Sequence, residues 1–448
     1  MSSLSTQPYK GTRDYYPEDM RVRNYIFDMW RKVAQQHGYE EYAAPVLEPL
    51  EIYTAKSGQE LATEQTYTFT DRGDRTVAIR PEMTPSVSRM VAARRQELGY
   101  PARLYSIANF MRYERPQRGR EREFWQLNTD IFGVDGVQAE AEIIAMAYEI
   151  VKAFGASDEM FAVRINNRKL INFMMHDYLG LDAVQSHLMV KLFDRKNKIP
   201  AESFRDQVVD IFGEDRASEG AAKIAKLITA KSMADLPAEL RESEAVLEVQ
   251  ELFTLLADAG VANATFDITL MRGLDYYTGT VFEVFDMHPD NNRSMFGGGR
   301  YDGLVGLFGV DPVPTVGMAP GLTPMQLFLE SHKLLPEFVS TTDIAIVVLG
   351  EDTLEGALGF ARKLRAEGVN VEVDISGRKL DRQIKAVLKK QVPFMAFVGE
   401  DELRHNLYAF KDVASETEEK LSLERIVTRV RDYRRRGTMD EIDALFAE

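Results

Sequence analysis

The most informative absence from this sequence of 448 residues is that of cysteine. Without a thiol, the chain cannot form a disulfide, a zinc–thiolate site or a cysteine nucleophile. The six histidines are scattered and form no H-E-x-x-H motif, so a zinc enzyme is not indicated. No run of about 18 apolar residues occurs, and the polar first residues lack the apolar stretch of a signal peptide. These absences predict a cytoplasmic protein.

Positive charge is also scarce, because 55 lysines and arginines are set against 70 aspartates and glutamates, giving a formal net charge of -15. This balance argues against a protein that coats nucleic acid, although it allows one local basic surface that docks a specific nucleic acid. Residues 111–126, MRYERPQRGREREFWQ, nevertheless contain five arginines. A solvated loop is the ordinary interpretation of such a run, and an anion-binding loop is the alternative.

The arginine run lies between two strand-like segments, ARLYSIANFMRYE and REFWQLNTDIFGV. This pattern predicts a hairpin whose basic tip projects from a sheet. Because side chains alternate along a strand, Arg112 and Glu114 are predicted to share one face of the first strand. Gln126, Asn128 and Asp130 are the matching set on the second strand. Such a face is a poor core and a good polar pocket, and an exposed antiparallel face is the alternative.

Periodicity outlines the rest of the chain, which is long enough for about two to four domains. A helix is predicted to begin at Pro17 and to stop at a glycine, and another to begin with Thr84 as its cap and Pro85 at its first position. Residues 167–263 have the pattern of charged helices. Beyond Pro336, strand and helix alternate as in a small α/β unit.

Two further stretches combine glycine with tyrosine or arginine. In residues 271–285, MRGLDYYTGTVFEVF, Arg272 precedes a glycine, while Tyr276 and Tyr277 offer rings with hydroxyl groups to a small polar ligand. A turn at a strand edge with core tyrosines is the alternative. Residues 297–303, GGGRYDG, permit close packing against a flat ligand. They lack the lysine and Ser/Thr of a P-loop and open no Rossmann unit.

In their order and chemistry, these motifs make the chain resemble histidyl-tRNA synthetase, a class II aminoacyl-tRNA synthetase. GTRDYYP and GYEEYAAPVLEP resemble the opening segment and motif 1, and RPEMTPSVSRM resembles the amino-acid-binding strand and helix. MRYERPQRGREREFWQLNTDIFG resembles motif 2, while RGLDYYTGTVFEVF and GGGRYDGL resemble the two histidine-specific motifs. The segment from AIVVLGEDTLEG onward is similar to the anticodon-binding domain of class IIa enzymes. The resemblance covers nearly the whole chain and is weak over the helical stretch.

The resemblance implies an α+β fold, in which helices flank the antiparallel sheet of class II synthetases. The implied domains are two parts of the catalytic core, a helical insertion and a C-terminal α/β anticodon-binding domain. The two parts of the catalytic core are residues 1–166 and 264–332. The helical insertion is 167–263, and the anticodon-binding domain is 341–437. The implied reaction activates L-histidine with ATP and Mg²⁺ and transfers histidine to the 3′ end of tRNA(His). A homodimer built through motif 1, without membrane contact, is implied as well.

Site residues follow from the same resemblance, position by position. Two catalytic arginines would balance charge at the α-phosphate, since guanidinium stays charged and binds phosphate bidentately: Arg112 and Arg272. Histidine would be bound by Glu82, Thr84, Arg112, Gln126, Asp130, Arg272, Tyr276, Tyr277 and Tyr301. ATP would be bound by Arg112, Glu114, Arg120 and Phe124. The tRNA acceptor end would meet Arg115, Arg118 and Arg122. No side chain is assigned as a metal ligand.

One segment departs from the family. Where motif 3 commonly resembles G-x-x-x-G-L-E-R, this sequence has TVGMAPGLTPM, so Thr323 and Pro324 stand at the positions of the glutamate and the arginine. Proline carries no charge and donates no hydrogen bond. Either other groups hold the pyrophosphate, or the chain binds ATP poorly. Two alternative functions therefore stay open: a synthetase-like regulatory subunit that senses histidine, and an RNA-binding or stress-sensing module.

Overall fold

The computed structural model of the protein describes residues 4–55, 64–196, 199–230, 232–271, 276–291 and 293–446. The chain forms two compact units that divide between Leu335 and Pro336. The second unit begins at Pro336, the residue beyond which the sequence predicts a small α/β unit. The finer domain limits given above stay predictions.

The strands, numbered along the chain, are β1 (Glu40–Glu41), β2 (Leu47–Pro49), β3 (Tyr67–Thr70), β4 (Thr76–Ile79), β5 (Ala102–Met111), β6 (Glu123–Phe132), β7 (Phe161–Asn167), β8 (Ala264–Phe266), β9 (Thr280–Asp286), β10 (Arg293–Arg300), β11 (Thr315–Met318), β12 (Ile344–Val348), β13 (Val371–Val373), β14 (Phe394–Val398), β15 (Tyr408–Asp412) and β16 (Glu418–Leu421). The α-helices are α1 (Pro17–Gln36), α2 (Glu51–Thr54), α3 (Thr84–Ala93), α4 (Gln138–Lys152), α5 (Arg168–Phe173), α6 (Ala183–Asp194), α7 (Ala201–Phe212), α8 (Ala217–Thr229), α9 (Ala238–Arg241), α10 (Glu244–Asp258), α11 (Leu322–Ser331), α12 (Leu354–Ala366), α13 (Leu380–Lys389), α14 (Glu400–His405) and α15 (Leu423–Phe446).

An eight-stranded sheet organises the first unit. Its strand order is β1-β5-β6-β11-β10-β9-β7-β8. The edge strands β1 and β8 run parallel to their neighbours β5 and β7, and the other adjacent strands run antiparallel. The antiparallel sheet that the resemblance implies is confirmed, with one short parallel strand at each edge.

One face of this sheet, called the helix face below, is a hydrophobic core. Leu127 and Ile131 of β6 and Phe282 of β9 are buried on it together with Trp30 of α1. Burial of each such side chain contributes about 1.5–3 kcal/mol. The helix α1 begins at Pro17 as predicted, and its buried positions recur at helical spacing, so that one stripe faces the sheet.

The strands β5 and β6 form the predicted hairpin and pair over their full lengths. The prediction that Arg112 and Glu114 lie on the first strand is wrong, because β5 ends at Met111. Arg112 still donates its amide to the carbonyl of Arg122 at 2.8 Å, whereas the amide of Glu114 turns back to the carbonyl of Arg112 at 2.8 Å. Strand alternation therefore ends at Arg112, and residues 112–122 form the arginine loop.

Helices α5 to α10 build a second hydrophobic core within the first unit, in the stretch predicted as charged helices. Leu170, Met174 and Leu240 are fully buried in it. The first of these helices directly follows β7, and β8 follows the last, so the helical segment is inserted between two paired strands of the sheet.

A three-stranded antiparallel sheet, β2-β4-β3, contains the hairpin formed by β3 and β4, and α3 follows it. The prediction that Thr84 caps this helix is wrong, since α3 begins at Thr84 with Met83 in the capping position. Pro85 is then the second helical residue, where its missing N–H costs nothing because first-turn amides have no partner within the helix.

The second unit is built on a five-stranded sheet of order β13-β12-β14-β15-β16. Its first three strands are parallel and the last two antiparallel to their neighbours, which confirms the predicted α/β character. Phe360 of α12 stacks on Tyr408 of β15 with ring centroids 3.6 Å apart. None of the helices within the described ranges is both long and apolar enough to cross a membrane.

Candidate active site

The second face of the eight-stranded sheet, called the polar face below, holds the buried carboxylate of Asp130. Gln126, Asn128 and Asp130 lie on it because they alternate along β6 with the core residues of the helix face. Asp130 is 4% exposed, and burial raises its pKa to about 7, opposed by a hydrogen bond that the Tyr301 hydroxyl donates. Gly317 stands opposite on β11, where a Cβ atom would lie 2.0 Å from Asp130 Oδ1. Only glycine leaves room for this carboxylate.

Three tyrosine rings gather beside Asp130. The ring centroids of Tyr276 and Tyr277 are 5.1 Å apart, and those of Tyr276 and Tyr301 are 5.7 Å apart. The Tyr276 hydroxyl donates to Glu82 Oε2 at 3.2 Å, and Glu82 is 5% exposed. Two carboxylates and three phenols thus share one buried pocket. The residues that form it come from distant parts of the chain, since Glu82 and Tyr276 are 194 positions apart.

The glycine run of β10 packs closely against this pocket. A Cβ atom on Gly299 would lie 2.8 Å from the Tyr277 ring and 2.6 Å from the carbonyl oxygen of Thr280. Within the chain, the flat group that packs against the run is thus the Tyr277 ring, and packing against a ligand stays a prediction. The arginine of the same motif, Arg300, is also structural, since its Nε and Nη2 donate to Glu140 at 2.7 and 2.6 Å.

The groups predicted to bind ATP lie together at the base of the arginine loop. Arg112 donates its Nε–H to the carbonyl of Pro81 at 2.9 Å, and its guanidinium carbon lies 5.2 Å from the centroid of the Phe124 ring. Glu114 lies between two arginines, 4.0 Å from Arg112 Nη1 and 3.3 Å from Arg120 Nη1. Because Pro81 precedes Glu82, the bond from Arg112 fixes this cluster beside the tyrosine pocket.

The three arginines predicted to face tRNA differ in exposure. Arg115 and Arg118 are exposed at the outer part of the loop. Arg122 is 8% exposed, and its Nε and Nη1 donate to the carbonyl of Glu114 at 3.1 Å and to the Tyr9 hydroxyl at 3.0 Å. The prediction that Arg122 faces tRNA is therefore corrected, because its guanidinium holds the loop to the N-terminal segment.

The remaining predicted residues have the following positions. Gln126 is half-buried and pairs through a β-bridge with Gly321. Thr84, partly exposed at the start of α3, accepts a hydrogen bond from Ser88 Oγ at its carbonyl at 2.8 Å. Arg272, one of the two predicted catalytic arginines, lies outside the described residues.

The divergent motif 3 segment contacts the arginine loop. Gly321 stands before the first residue of α11, and Pro324 is the third residue of that helix. The Thr323 hydroxyl donates to Glu121 Oε2 at 2.9 Å. The loop thus places a carboxylate beside Thr323, the residue that stands where the family motif has glutamate.

Two further polar groups line the pocket: Tyr42, which the sequence did not indicate, and Asn128, which strand alternation placed on this face without assigning it a role. The Tyr42 hydroxyl is buried near Asp130, and its burial raises the pKa of Tyr42 well above the usual value, with a further rise from the Asp130 charge. Asn128 is 4% exposed, and within the described residues its Nδ2 has no hydrogen-bond partner. Asn128 could be found by strand alternation, whereas Tyr42 lies in a segment with no polar pattern that points to the pocket.

Chemically, the arrangement joins two environments. The tyrosine pocket offers hydrogen-bond donors and acceptors of low exposure, which suits a small polar molecule such as an amino acid. The arginine loop offers cations beside an aromatic ring, which suits a nucleotide. Such a site can bring a carboxylate and a phosphate together despite their like charge.

Comparison with known proteins gives consistent matches over both units. The sequence model of the family described as "Histidyl-tRNA synthetase" matches residues 11–325, and that described as "Anticodon binding domain" matches residues 343–433. A histidine–tRNA ligase of Leptospira biflexa is 40% identical over 96% of this chain and 98% of its own length. One from Opitutus terrae is 36% identical over 95% and 98%.

Solved structures show the same fold. A histidyl-tRNA synthetase from Nostoc sp. superposes with a TM-score of 0.79 at 23% identity, covering 96% of this chain and all of that one. The apo histidyl-tRNA synthetase of S. aureus superposes with a TM-score of 0.71 at 25% identity, covering 95% of this chain.

Proposed function

Because the chain belongs to the histidyl-tRNA synthetase family, we propose that histidine and ATP react at the polar face of its eight-stranded sheet. The protein is an aminoacyl-tRNA synthetase that activates histidine with ATP and charges tRNA with histidine. The observation that carries the proposed location is the Asp130 carboxylate, which is buried and accepts a hydrogen bond from the Tyr301 hydroxyl, on the strand that follows the arginine loop.

Arg112 is proposed to bind the α-phosphate and the histidine carboxylate. In the first step a carboxylate oxygen attacks the α-phosphorus, and the bond to pyrophosphate breaks. Both reactants are anions, so preplaced cations lower the barrier more than proton transfer does. The bond from Arg112 to Pro81 orients a guanidinium with five N–H donors. Arg272 is proposed as its counterpart on the opposite side of the phosphate.

The pocket is proposed to recognise imidazole through Asp130 and Tyr277. An acid and a phenol can accept and donate hydrogen bonds at the two ring nitrogens, which rejects amino acids without them. Glu82, held by Tyr276, is proposed to bind the α-amino group together with Thr84. Gln126 and Tyr301 complete the proposed histidine site.

The ATP side is proposed to use Glu114, Arg120 and Phe124, with the ring of Phe124 stacked on adenine. Mg²⁺ prefers oxygen ligands and is commonly held by one or two carboxylates together with substrate phosphates. Glu114 and Glu121 are half-buried carboxylates of the arginine loop, so the donor set fits this ion, and these two residues would hold it. When bound, the ion would neutralise charge on the phosphates of ATP.

The tRNA is proposed to contact both units of the chain. Arg115 and Arg118 extend from the arginine loop, where phosphate contacts would position the acceptor end. The C-terminal unit is proposed to bind the anticodon, since residues 343–433 match the anticodon-binding model. A tRNA ligase acts where tRNA is used, so the cytoplasm is the proposed compartment.

A homodimer is also proposed. The three-stranded sheet and the residue before it expose apolar side chains: Val46 is 48%, Leu47 46% and Phe69 46% exposed. Exposed apolar side chains of this size on one small sheet are typical of an interface. The mass measured by light scattering should be twice that of the chain, and a monomer at micromolar concentration would contradict the proposal.

The regulatory-subunit alternative is not favoured, because histidine–tRNA ligases match the chain over nearly its full length, including the anticodon-binding part. Histidine-dependent exchange of pyrophosphate into ATP tests the proposed function. Exchange should require histidine and should not occur when histidine is replaced by glutamine. If the folded protein showed no histidine-dependent exchange, the proposed enzymatic activity would be contradicted.

A further inference from the structure

Three parts of the chain meet at one end of the eight-stranded sheet. The registers of Gly317 with Asp130 and of Gly298 with Met318 place the start of β6, the end of β11 and the start of β10 at the same end. The arginine loop precedes β6 and α11 follows β11, so both lie there as well. Arg293 is the first residue of β10 and is exposed.

Arg293 lies beside the position where the family motif has its arginine. Arg293 and Pro324 line the same small cavity, together with Leu327 of α11. Thr323 also contacts Glu121, so a carboxylate and a guanidinium from neighbouring segments lie beside the two divergent positions of α11. The carboxylate comes from the arginine loop and the guanidinium comes from β10.

The guanidinium of Arg293 also contacts the tip of the arginine loop. Its Nη1 donates to the carbonyl of Arg118 at 2.9 Å. Gly119 adopts φ +78°, and a Cβ atom there would lie 2.6 Å from Arg293 Nη2, so the glycine lets the guanidinium lie flat against the loop. One hydrogen bond orients the group, and a guanidinium has five donors in a planar fork that matches phosphate.

We propose that Arg293 replaces the missing motif 3 arginine and binds the β- and γ-phosphates of ATP. The inference rests on the proposed function, because it requires ATP at the arginine loop. Arg293, at the end of the sheet where β6 and β10 begin, would balance the negative charge of the leaving pyrophosphate. Arg112 would hold the α-phosphate. The bond to Arg118 would close the loop over the same phosphates.

Steady-state kinetics of histidine-dependent ATP–pyrophosphate exchange test this inference. The variants are Arg293→Gln, the same change combined with Pro324→Arg, and Arg94→Gln as a matched control. Arg94 is a suitable control because its side chain is 70% exposed and its ion-pair partner is Glu97, three residues away, at 2.7 Å. The Michaelis constants for ATP and for histidine and the melting temperature are measured for each.

Arg293→Gln should raise the KM for ATP by about tenfold or more, the effect of one lost charge-assisted hydrogen bond, and leave the KM for histidine unchanged. Adding Pro324→Arg should restore the KM for ATP most of the way, because it returns a guanidinium to the same cavity. Arg94→Gln should match the wild type.

Two results would overturn the inference while the wild type remains active. One is a KM for ATP within twofold of wild type in Arg293→Gln. The other is a parallel rise in both KM values with a lower melting temperature and no restoration by Pro324→Arg, which would make Arg293 only structural. A wild type without exchange would instead refute the proposed function itself.

Discussion

Along β6, successive side chains serve opposite purposes on the two faces of one sheet. On the helix face, Leu127 and Ile131 pack among apolar side chains, where shape and volume decide the fit. On the polar face, Asp130 needs a hydroxyl from Tyr301 and a glycine at position 317 to be accommodated at all. One strand thus contributes to the stability of the fold through its apolar face and to the candidate active site through its polar face.

The largest difference should appear in a matched pair of substitutions on β6. Asp130→Asn should raise the KM for histidine by about a hundredfold, because one of the two acceptor oxygens at the imidazole becomes an amide donor, and should not lower the free energy of unfolding. Leu127→Ala should lower the free energy of unfolding by about 2–5 kcal/mol through the cavity it leaves. Its KM for histidine should stay near the wild-type value.

Exchange kinetics and denaturant unfolding of both variants measure these effects. Should Leu127→Ala impair histidine binding as strongly as Asp130→Asn in fully folded protein, the division between the two faces would not hold.

The pH dependence of stability sharpens the comparison. Burial raises the pKa of Asp130 from 3.8 to about 7, so between these values the folded chain holds a proton that the unfolded chain has lost. The free energy of unfolding should therefore fall as pH rises from about 4 to 7, by at most about 1.4 kcal/mol per pH unit from this group. Asp130→Asn should remove this contribution.

The quantity to measure is the difference in unfolding free energy between Asp130→Asn and wild type at about pH 5 and about pH 7.5. The variant should gain relative to the wild type at the higher pH. A difference that does not change with pH would show that Asp130 is not buried as a titrating acid. Leu127→Ala serves as the control, since its effect on unfolding should be the same at both pH values.

The smallest effects should come from the exposed part of the arginine loop, beyond both faces. Arg115→Gln and Arg118→Gln should each raise the KM for tRNA by a few-fold and lower the slope of log KM against log salt by about 1. Exchange without tRNA should be unchanged. Arg122→Gln should behave differently and impair exchange as well, because Arg122 holds the loop in place. Equal effects of all three variants on tRNA charging alone would contradict this distinction.

The sequence was informative wherever a local pattern determines the structure. Alternation along β6 identified the polar row, and the residues flanking the arginine run identified the hairpin. Strand alternation failed at Glu114 because a tight turn follows Arg112, a feature set by backbone hydrogen bonds that side-chain patterns do not encode. The misassigned exposure of Arg122 has a similar origin, since its partner Tyr9 lies 113 positions away.

The rest of the site depends on contacts between distant segments. The charge of Asp130 acts on Tyr42, which lies far earlier in the chain, and Arg293 of β10 lines a cavity together with Pro324 of α11. The spacing of residues in the sequence predicts neither of these proximities, because both arise from strand order and register. The register of β10 with β11 brings Arg293 to the cavity that Pro324 lines, which is the basis of the role proposed for it.

Histidine is proposed to lie on the polar face with its imidazole at Asp130. A crystal structure with a non-hydrolysable histidyl-adenylate analogue tests it most directly. One imidazole nitrogen should lie about 2.7–3.2 Å from the Asp130 carboxylate, with the phosphate against Arg112. An analogue bound elsewhere, or an imidazole directed away from Asp130, would contradict the account.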